Sequence, residues 1–223
     1  MKYAADVVKA VLLARSQRMG LFYDRRFDCQ AAATDTTQYE PKLEYLSPHT
    51  AAIETVREGA RVVDLGCAGG YVSAMLRRQR RCRVTGVDRV PLEPHVELDA
   101  FIVHDLNNGL GAIDLRDYDY VLLLDVIEHL TSPEAFVQEL RDGLKASPAT
   151  MLLASTANIG FFVNRLMLFM GQFNYGKRGI LDLTHCRLFT FSSFRRLFEQ
   201  GGSACARCAA FPGLSRWRLE TPG

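Results

Sequence analysis

Arg61-Val62-Val63-Asp64-Leu65-Gly66-Cys67-Ala68-Gly69-Gly70-Tyr71 decides the fold. The apolar run reads as a buried strand, the small residues behind it as a turn, and the chain resumes a helical pattern near Tyr71. Gly66, Gly69 and Gly70 allow backbone angles and close approaches that a Cβ would block. A helix opening at Tyr71 would aim its unsatisfied N–H groups at whatever lies in the turn. The turn is therefore built to hold a ligand.

What the stretch lacks narrows that ligand. A dinucleotide fingerprint needs glycine at its first, third and sixth places, and here the third is Ala68 and the sixth Tyr71. A phosphate-cradling loop would end in Gly-Lys-Ser/Thr, which is missing. Asp64 sits at the strand end, where it would repel a pyrophosphate and attract a cation. A cofactor carrying an ammonium and a sulfonium suits that charge.

Two further strands end in acids. Cys82-Arg83-Val84-Thr85-Gly86-Val87-Asp88 places Asp88 where a carboxylate can accept from both hydroxyls of a ribose. Ala100-Phe101-Ile102-Val103-His104-Asp105-Leu106 reads as a third strand ending at Asp105. With Asp64, Gly66 and Gly70 matching acid-x-Gly-x-Gly-x-Gly except for Ala68 in the middle, the chain resembles the class I S-adenosylmethionine (SAM)-dependent methyltransferases. The resemblance implies SAM as cofactor. It also implies contacts from Asp64, Gly66, Cys67, Gly69 and Gly70 in the loop, from Asp88 to the ribose, from Asp105 and Leu106 to the adenine edge, and from Asp125 near the methionine end.

Composition agrees with one enzyme domain. At 223 residues and 48% hydrophobic content, the chain can bury roughly 70% of the surface that its unfolded form exposes. Net charge is +2, from 27 basic and 25 acidic side chains, which gives no strong drive toward nucleic acid or membrane. The local excess Arg77-Arg78-Gln79-Arg80-Arg81-Cys82-Arg83 falls at a helix end, where cations complement the helix dipole. Six scattered cysteines, with Cys205 and Cys208 in one isolated Cys-x-x-Cys on an expected strand, make a weak zinc signal and point to a reducing cytoplasm. No apolar stretch approaches the ~20 residues of a membrane span, and the N-terminal residues lack the order of a secretion signal. The expectation is a soluble cytoplasmic protein; nothing in the sequence sets its oligomeric state.

Strands and helices alternate along the chain. Val7, Val8, Val11 and Leu12 predict a helix over residues 5–18, and a second is expected from Lys42 to Val56, leading into the first strand. Tyr118 to Asp125 is an apolar run of the kind buried on both faces of a parallel sheet. Ser132-Pro133-Glu134 predicts a capped helix with Phe136, Val137, Leu140 and Leu144 on its core face. Thr150 to Ser155 supplies a fifth strand. Ser192 is expected to cap a last helix that carries Phe194, Leu197 and Phe198 and stops at Gly201. The fold class is α/β, a doubly wound, mostly parallel, Rossmann-like sheet with N-terminal helices and a helical insertion after strand 5. Residues 1–58 form the expected helical cap and lead-in, and 59–223 the methyltransferase domain, with a lid insertion at 157–185.

Catalytic candidates sit at the carboxyl ends of the strands. Asp125-Val126-Ile127-Glu128-His129-Leu130 puts Glu128 and His129 on a loop facing the cofactor. This phrase resembles the matching segment of ubiquinone-pathway and methionine-biosynthesis-associated methyltransferases, where the Glu-His pair can equally pin the loop through backbone hydrogen bonds. The insertion that follows is rich in large apolar groups, from Ile159 to Met170. It suits a lid, an interfacial helix or a core helix. Tyr175 to Thr190 resembles the same group's Gly-Ile-Leu-Asp-x-Thr-His-x-Arg-Phe-Phe-Thr, which gathers Asp182, His185 and Arg187.

The resemblance implies methyl transfer to a small-molecule hydroxyl, lipid-like, sugar-linked or a secondary metabolite, with His185 or His129 as general base. No metal is assigned to that reading. Two rivals stay open. Asp125, Glu128, His129 and His185 also resemble the ligand set of metal-dependent O-methyltransferases, including small-RNA 2′-O-methylating enzymes. A non-catalytic regulatory protein on the same fold is the other.

Overall fold

A computed structural model describes residues 47–176 and 179–200, together with the backbone of two C-terminal strands. The helix expected over residues 5–18, and Cys208, lie outside the described residues. The elements are α1 (Pro48–Thr55), β1 (Arg61–Leu65), α2 (Tyr71–Arg80), β2 (Arg83–Asp88), β3 (Ala100–Val103), β4 (Tyr120–Leu124), α3 (Pro133–Lys145), β5 (Met151–Ser155), α4 (Phe162–Phe169), α5 (Phe191–Glu199), β6 (Cys205–Ala206) and β7 (Ser215–Leu219).

The sheet order is β3-β2-β1-β4-β5-β7-β6. β1 to β5 are parallel, β7 pairs antiparallel with β5, and β6 antiparallel with β7. The central strand β1 aligns Val62 with both Val84 and Tyr120. Strand order reverses between β1 and β4, so the ends of these two strands open a crevice, the usual ligand position in such sheets.

Both faces of the sheet are covered because its strands are apolar on both sides. Val63, Leu65, Val121, Leu123, Leu152 and Ala154 pack with α3 and α5, while Val62, Leu122, Leu124 and Leu153 pack with α1 and α2. Phe136, Val137, Leu140 and Leu144 are buried as their spacing predicts. Leu140 is fully buried, so Leu140→Ala would cost roughly 2–5 kcal/mol.

Local chemistry moved several expected boundaries. α1 starts at Pro48 and not at Lys42, because Ser47 and Thr50 close a capping box around a proline at the first helical turn. Ser132 stands at the N-cap of α3, but its side chain makes no capping bond, and Pro133 sets the start. At α5 the cap is Thr190 and not Ser192: Thr190 accepts from the Ser193 N–H and Ser193 reaches back to Thr190. The helix closes on Gln200. β3 ends at Val103, two residues before the expected acid, and Asp105 instead caps a 3₁₀ turn, Leu106–Asn108.

Candidate functional site

The turn after β1 is held from behind by β2. Gly66 N–H and Cys67 N–H both donate to Val87 O, at 2.7 and 3.1 Å. Gly66 and Gly70 adopt φ 78 and 81, and Ala68, between them, φ 47. Alanine at a left-handed angle costs roughly 1–2 kcal/mol. Its N–H, however, donates to Asp88 Oδ2 at 2.8 Å, which offsets part of that strain. Asp88 Oδ1 accepts from Val90 N–H at 2.9 Å, so each oxygen of Asp88 holds one backbone group. A carboxylate has about four acceptor positions, which leaves capacity on both oxygens.

Asp64 is 3% exposed and lies under the turn. Burial pushes its pKa up to about 6; the Ser73 hydroxyl, donating at 2.6 Å, works against this, and the nearby Asp88 charge adds to it. Such a group favours a cation nearby. Cys67 is buried in the turn, and burial followed by the Asp64 and Asp88 charges raises its thiol far above the ordinary value, so it is a packing residue without thiolate character. Gly69 lies between Ala68 and Gly70 with Glu93 beside it.

Asp105 accepts from Asn107 N–H and Nδ2, and these bonds hold its carboxyl below the usual range. Leu106 is buried next to it. Asn107 Oδ1 in turn accepts from both Thr131 N–H and Oγ1 at 2.9 Å, tying this edge of the cleft to the loop after β4.

That loop begins with Asp125 at φ 55, a strained angle for a residue other than glycine. Ser155 anchors it: the Ser155 hydroxyl donates to Asp125 Oδ1 at 2.7 Å, and the Asp125 N–H points at Ser155 O, 3.1 Å away. Asp125 Oδ2 lies 3.6 Å from His49 Nε2.

Glu128, in the 3₁₀ turn Ile127–His129, is 1% exposed. Its Oε1 accepts from Ala157 N–H at 2.9 Å, and its main-chain oxygen accepts from Cys186 N–H and Arg187 N–H. Ala157 opens the insertion and Cys186 follows its end, so one residue clasps both ends. Glu128 Oε2 and the Thr156 hydroxyl, both shielded from solvent, make no close hydrogen bond. Burial, then the Asp125 charge, raises the Glu128 pKa to about 7 against the opposing Ala157 N–H.

His129 and His185 meet edge-on with ring centroids 4.8 Å apart. His185 Nδ1 lies 3.1 Å from Ile180 O, which can only accept, so Nδ1 carries the hydrogen and Nε2 the lone pair. Burial, then the neighbouring His129, holds its pKa below the ordinary imidazole value. His129 Nδ1 faces Thr184 O and Thr184 Oγ1, while the Thr184 hydroxyl donates its own proton to Asp182 Oδ1 at 2.8 Å. His129 therefore also donates from Nδ1 and keeps Nε2 as acceptor. Arg187 departs from the expected cluster and pairs with Glu134 at 3.1 Å. Among the described residues, no group of three or more His, Cys, Asp and Glu is arranged to hold a metal ion.

α4 is not a core helix. Phe161, Phe162, Leu166, Phe169 and Met170 are exposed. His49, Tyr71, Asn107, Ser155 and Thr184 were not legible as site residues. Their roles arise from contacts made only once the chain folds; Tyr71 read as a helix start and His49 as an interior residue of the helix expected from Lys42 to Val56.

A five-stranded parallel core in the order 3-2-1-4-5, with a glycine turn between β1 and α2, defines a class I SAM-dependent methyltransferase fold. The family model of a methyltransferase domain matches residues 33–205, and the chain belongs to that family, whose cofactor is SAM. It is similar to the ubiquinone biosynthesis O-methyltransferase of Xylella fastidiosa (strain M23), 32% identical over 127 residues, 52% of this chain and 48% of that protein. The chain thus spans about half the length of the curated relatives it matches. Burkholderia thailandensis 1,6-didemethyltoxoflavin-N1-methyltransferase, solved with bound 1,6-didemethyltoxoflavin and S-adenosylhomocysteine, shares the fold at TM-score 0.55 and 16% identity, covering 99% of this chain and 90% of its own. A SAM-dependent methyltransferase from Aquifex aeolicus follows at TM-score 0.50 and 15% identity, covering 79% and 90%. Among the described residues, no helix is long and apolar enough to cross a membrane.

Proposed function

We propose that this enzyme methylates a hydroxyl on a small, partly apolar acceptor. The observation that carries the reading is the His185 ring, which is kept neutral by burial and oriented by Ile180 O so that Nε2 offers a lone pair. When bound, SAM supplies an activated methyl group and departs as the thioether. As the acceptor oxygen takes up that methyl group, His185 Nε2 would receive the hydroxyl proton. His129, oriented by Thr184 and Asp182, is the second base candidate and packs against His185.

The cofactor roles follow the cleft. Asp88 has acceptor capacity left for the ribose hydroxyls, and Asp105 and Leu106 border the adenine edge. Gly66, Cys67, Gly69 and Gly70 form the turn itself. Asp64, whose pKa burial raises to about 6, and Asp125 flank the methionine end, where an ammonium would stabilise the ionised form of Asp64. Glu128 acts by position, clasping the insertion and not touching substrate. The insertion is a lid whose exposed apolar face meets the acceptor, and a membrane-surface contact of that face remains part of the reading. The division into a cap over residues 1–58 and a catalytic domain over residues 59–223 is part of this proposal, with residues 1–46 outside the described ones. The proposed partner is a small molecule and not a nucleic acid, and the proposed setting is cytoplasmic.

The rival reading, a divalent cation shared by Asp125, Glu128, His129 and His185, has the apposed His129 and His185 rings in its favour and, among the described residues, the absence of any group of three such side chains arranged around a metal against it. Host extracts incubated with enzyme and SAM should show an acceptor gaining about 14 Da, the methyl-for-hydrogen increment. With that acceptor, His185→Ala should slow transfer by roughly a hundredfold, and chelator should leave the parent rate unchanged. Loss of activity with chelator, restored by a divalent cation, would favour the metal reading. Normal turnover by His185→Ala would overturn the base assignment.

A further inference from the structure

α1 reaches the cofactor cleft through His49, the second residue of the helix and only 5% exposed. Its Nδ1 forms a close hydrogen bond with the Tyr71 hydroxyl, and the two rings meet edge-on with centroids 5.5 Å apart. Its Nε2 lies 3.6 Å from Asp125 Oδ2. An ionised carboxylate only accepts, so a hydrogen on Nε2 would face Asp125, and His49 links the Tyr71 hydroxyl, by a hydrogen bond, to the Asp125 carboxylate, by a charge–dipole approach.

The two neighbours of His49 stand at critical places. Tyr71 opens α2 immediately after Gly70, and Asp125 opens the loop after β4 at a left-handed angle. With Ser155 on Oδ1 and His49 facing Oδ2, the Asp125 carboxylate is held from β5 and from α1 at once. Its side chain still keeps 34% of its surface open. A half-open, doubly anchored carboxylate beside a glycine turn is suited to receive an ammonium.

We propose that His49 is a positioning residue that fixes Asp125 and Tyr71 to receive the amino-acid end of SAM, so that α1 confers selectivity for the complete cofactor over ligands that stop at the sulfur. This rests on the assignment of Asp125 to the methionine end under Proposed function. A helix outside the sheet would thereby supply the discriminating contact while the strand ends supply the adenosine contacts.

Calorimetric titration of the full chain with S-adenosylhomocysteine and with 5′-methylthioadenosine, which lacks the amino-acid end, tests it. His49→Leu keeps bulk and removes the N–H. It should weaken S-adenosylhomocysteine binding about tenfold, or ~1.4 kcal/mol, and leave 5′-methylthioadenosine unchanged. His49→Gln, which offers an amide N–H toward Asp125, should regain most of the loss. Asp125→Asn should show the same selective defect, and adding His49→Leu to it should cost little more. Equal weakening of both ligands, no weakening of either, or a His49→Gln variant as defective as His49→Leu would overturn the proposal. A parent chain that binds neither ligand would instead overturn the cofactor assignments on which it rests.

Discussion

Between β1 and β3 the groups facing the cleft are placed by the register of adjacent parallel strands. Val87 O holds Gly66 and Cys67, and Asp88 holds Ala68. The opposite wall is assembled differently. There Glu128 holds Ala157 through its side chain and Cys186 and Arg187 through its main-chain oxygen, and together with the contacts of His129 to Thr184 this brings His129 against His185. The first wall is part of the sheet, while the second is assembled from loop contacts around a buried acid and carries an exposed apolar helix. Cofactor binding and acceptor handling should therefore respond separately to mutation.

The largest effect is expected in the rigid wall. At Gly66, with φ 78, an added Cβ would lie 2.5 Å from Val126 Cγ2. Gly66→Val combines left-handed strain with this overlap and should cost roughly 3 kcal/mol or more, read as a lower denaturation midpoint together with lost S-adenosylhomocysteine binding. A variant as stable as the parent would mean that the turn is not rigid.

A smaller, pH-dependent effect is expected at the clasp. Glu128 titrates at about 7 folded against 4.5 for the free group. The folded chain thus holds a proton that the unfolded chain has released, so this stabilisation is complete below about pH 4.5 and is lost as pH rises through about 7. Asp64, raised from 3.8 to about 6, acts in the same direction over a lower window. Glu128→Gln keeps an acceptor for Ala157 N–H and cannot ionise. At pH 8 it should be more stable than the parent by on the order of 2–3 kcal/mol, with the advantage vanishing near pH 4. Parallel stability curves for the two proteins would remove the buried-acid account of the clasp.

The smallest stability effect belongs to the insertion. Phe161 and Phe162 are 47% and 68% exposed. The double variant Phe161→Ser/Phe162→Ser should lose less than about 1.5 kcal/mol in chemical denaturation while turnover falls more steeply. A loss of ~4 kcal/mol would mark these rings as core residues.

The same contrast explains what was legible in the sequence. β1, its glycine turn and the acids Asp64 and Asp88 lie at the ends of strands whose patterns are local, so the fold could be read from spacing, while Asp105, expected at the end of β3, caps the turn behind it. Ala68 was recognised as a departure, but its support by Asp88 requires β1 and β2 side by side. Glu128 read equally well as catalyst or clasp, because its burial is a tertiary fact. The sequence pattern predicts Ser192 as the cap of α5, whereas the reciprocal pair Thr190 and Ser193 closes the helix start. His49 carried no signal, since its partners Tyr71 and Asp125 come from two other elements.

Calorimetric titration with S-adenosylhomocysteine on three proteins tests the separation of the two walls most directly. The parent should bind in the micromolar range, about −8 kcal/mol. Asp88→Ala should weaken this by about 1.5–3 kcal/mol through lost charged-acceptor bonds, and Phe161→Ser/Phe162→Ser should match the parent. Equal losses in the two variants, or full affinity in Asp88→Ala, would contradict a cofactor wall built on the strand ends and independent of the insertion.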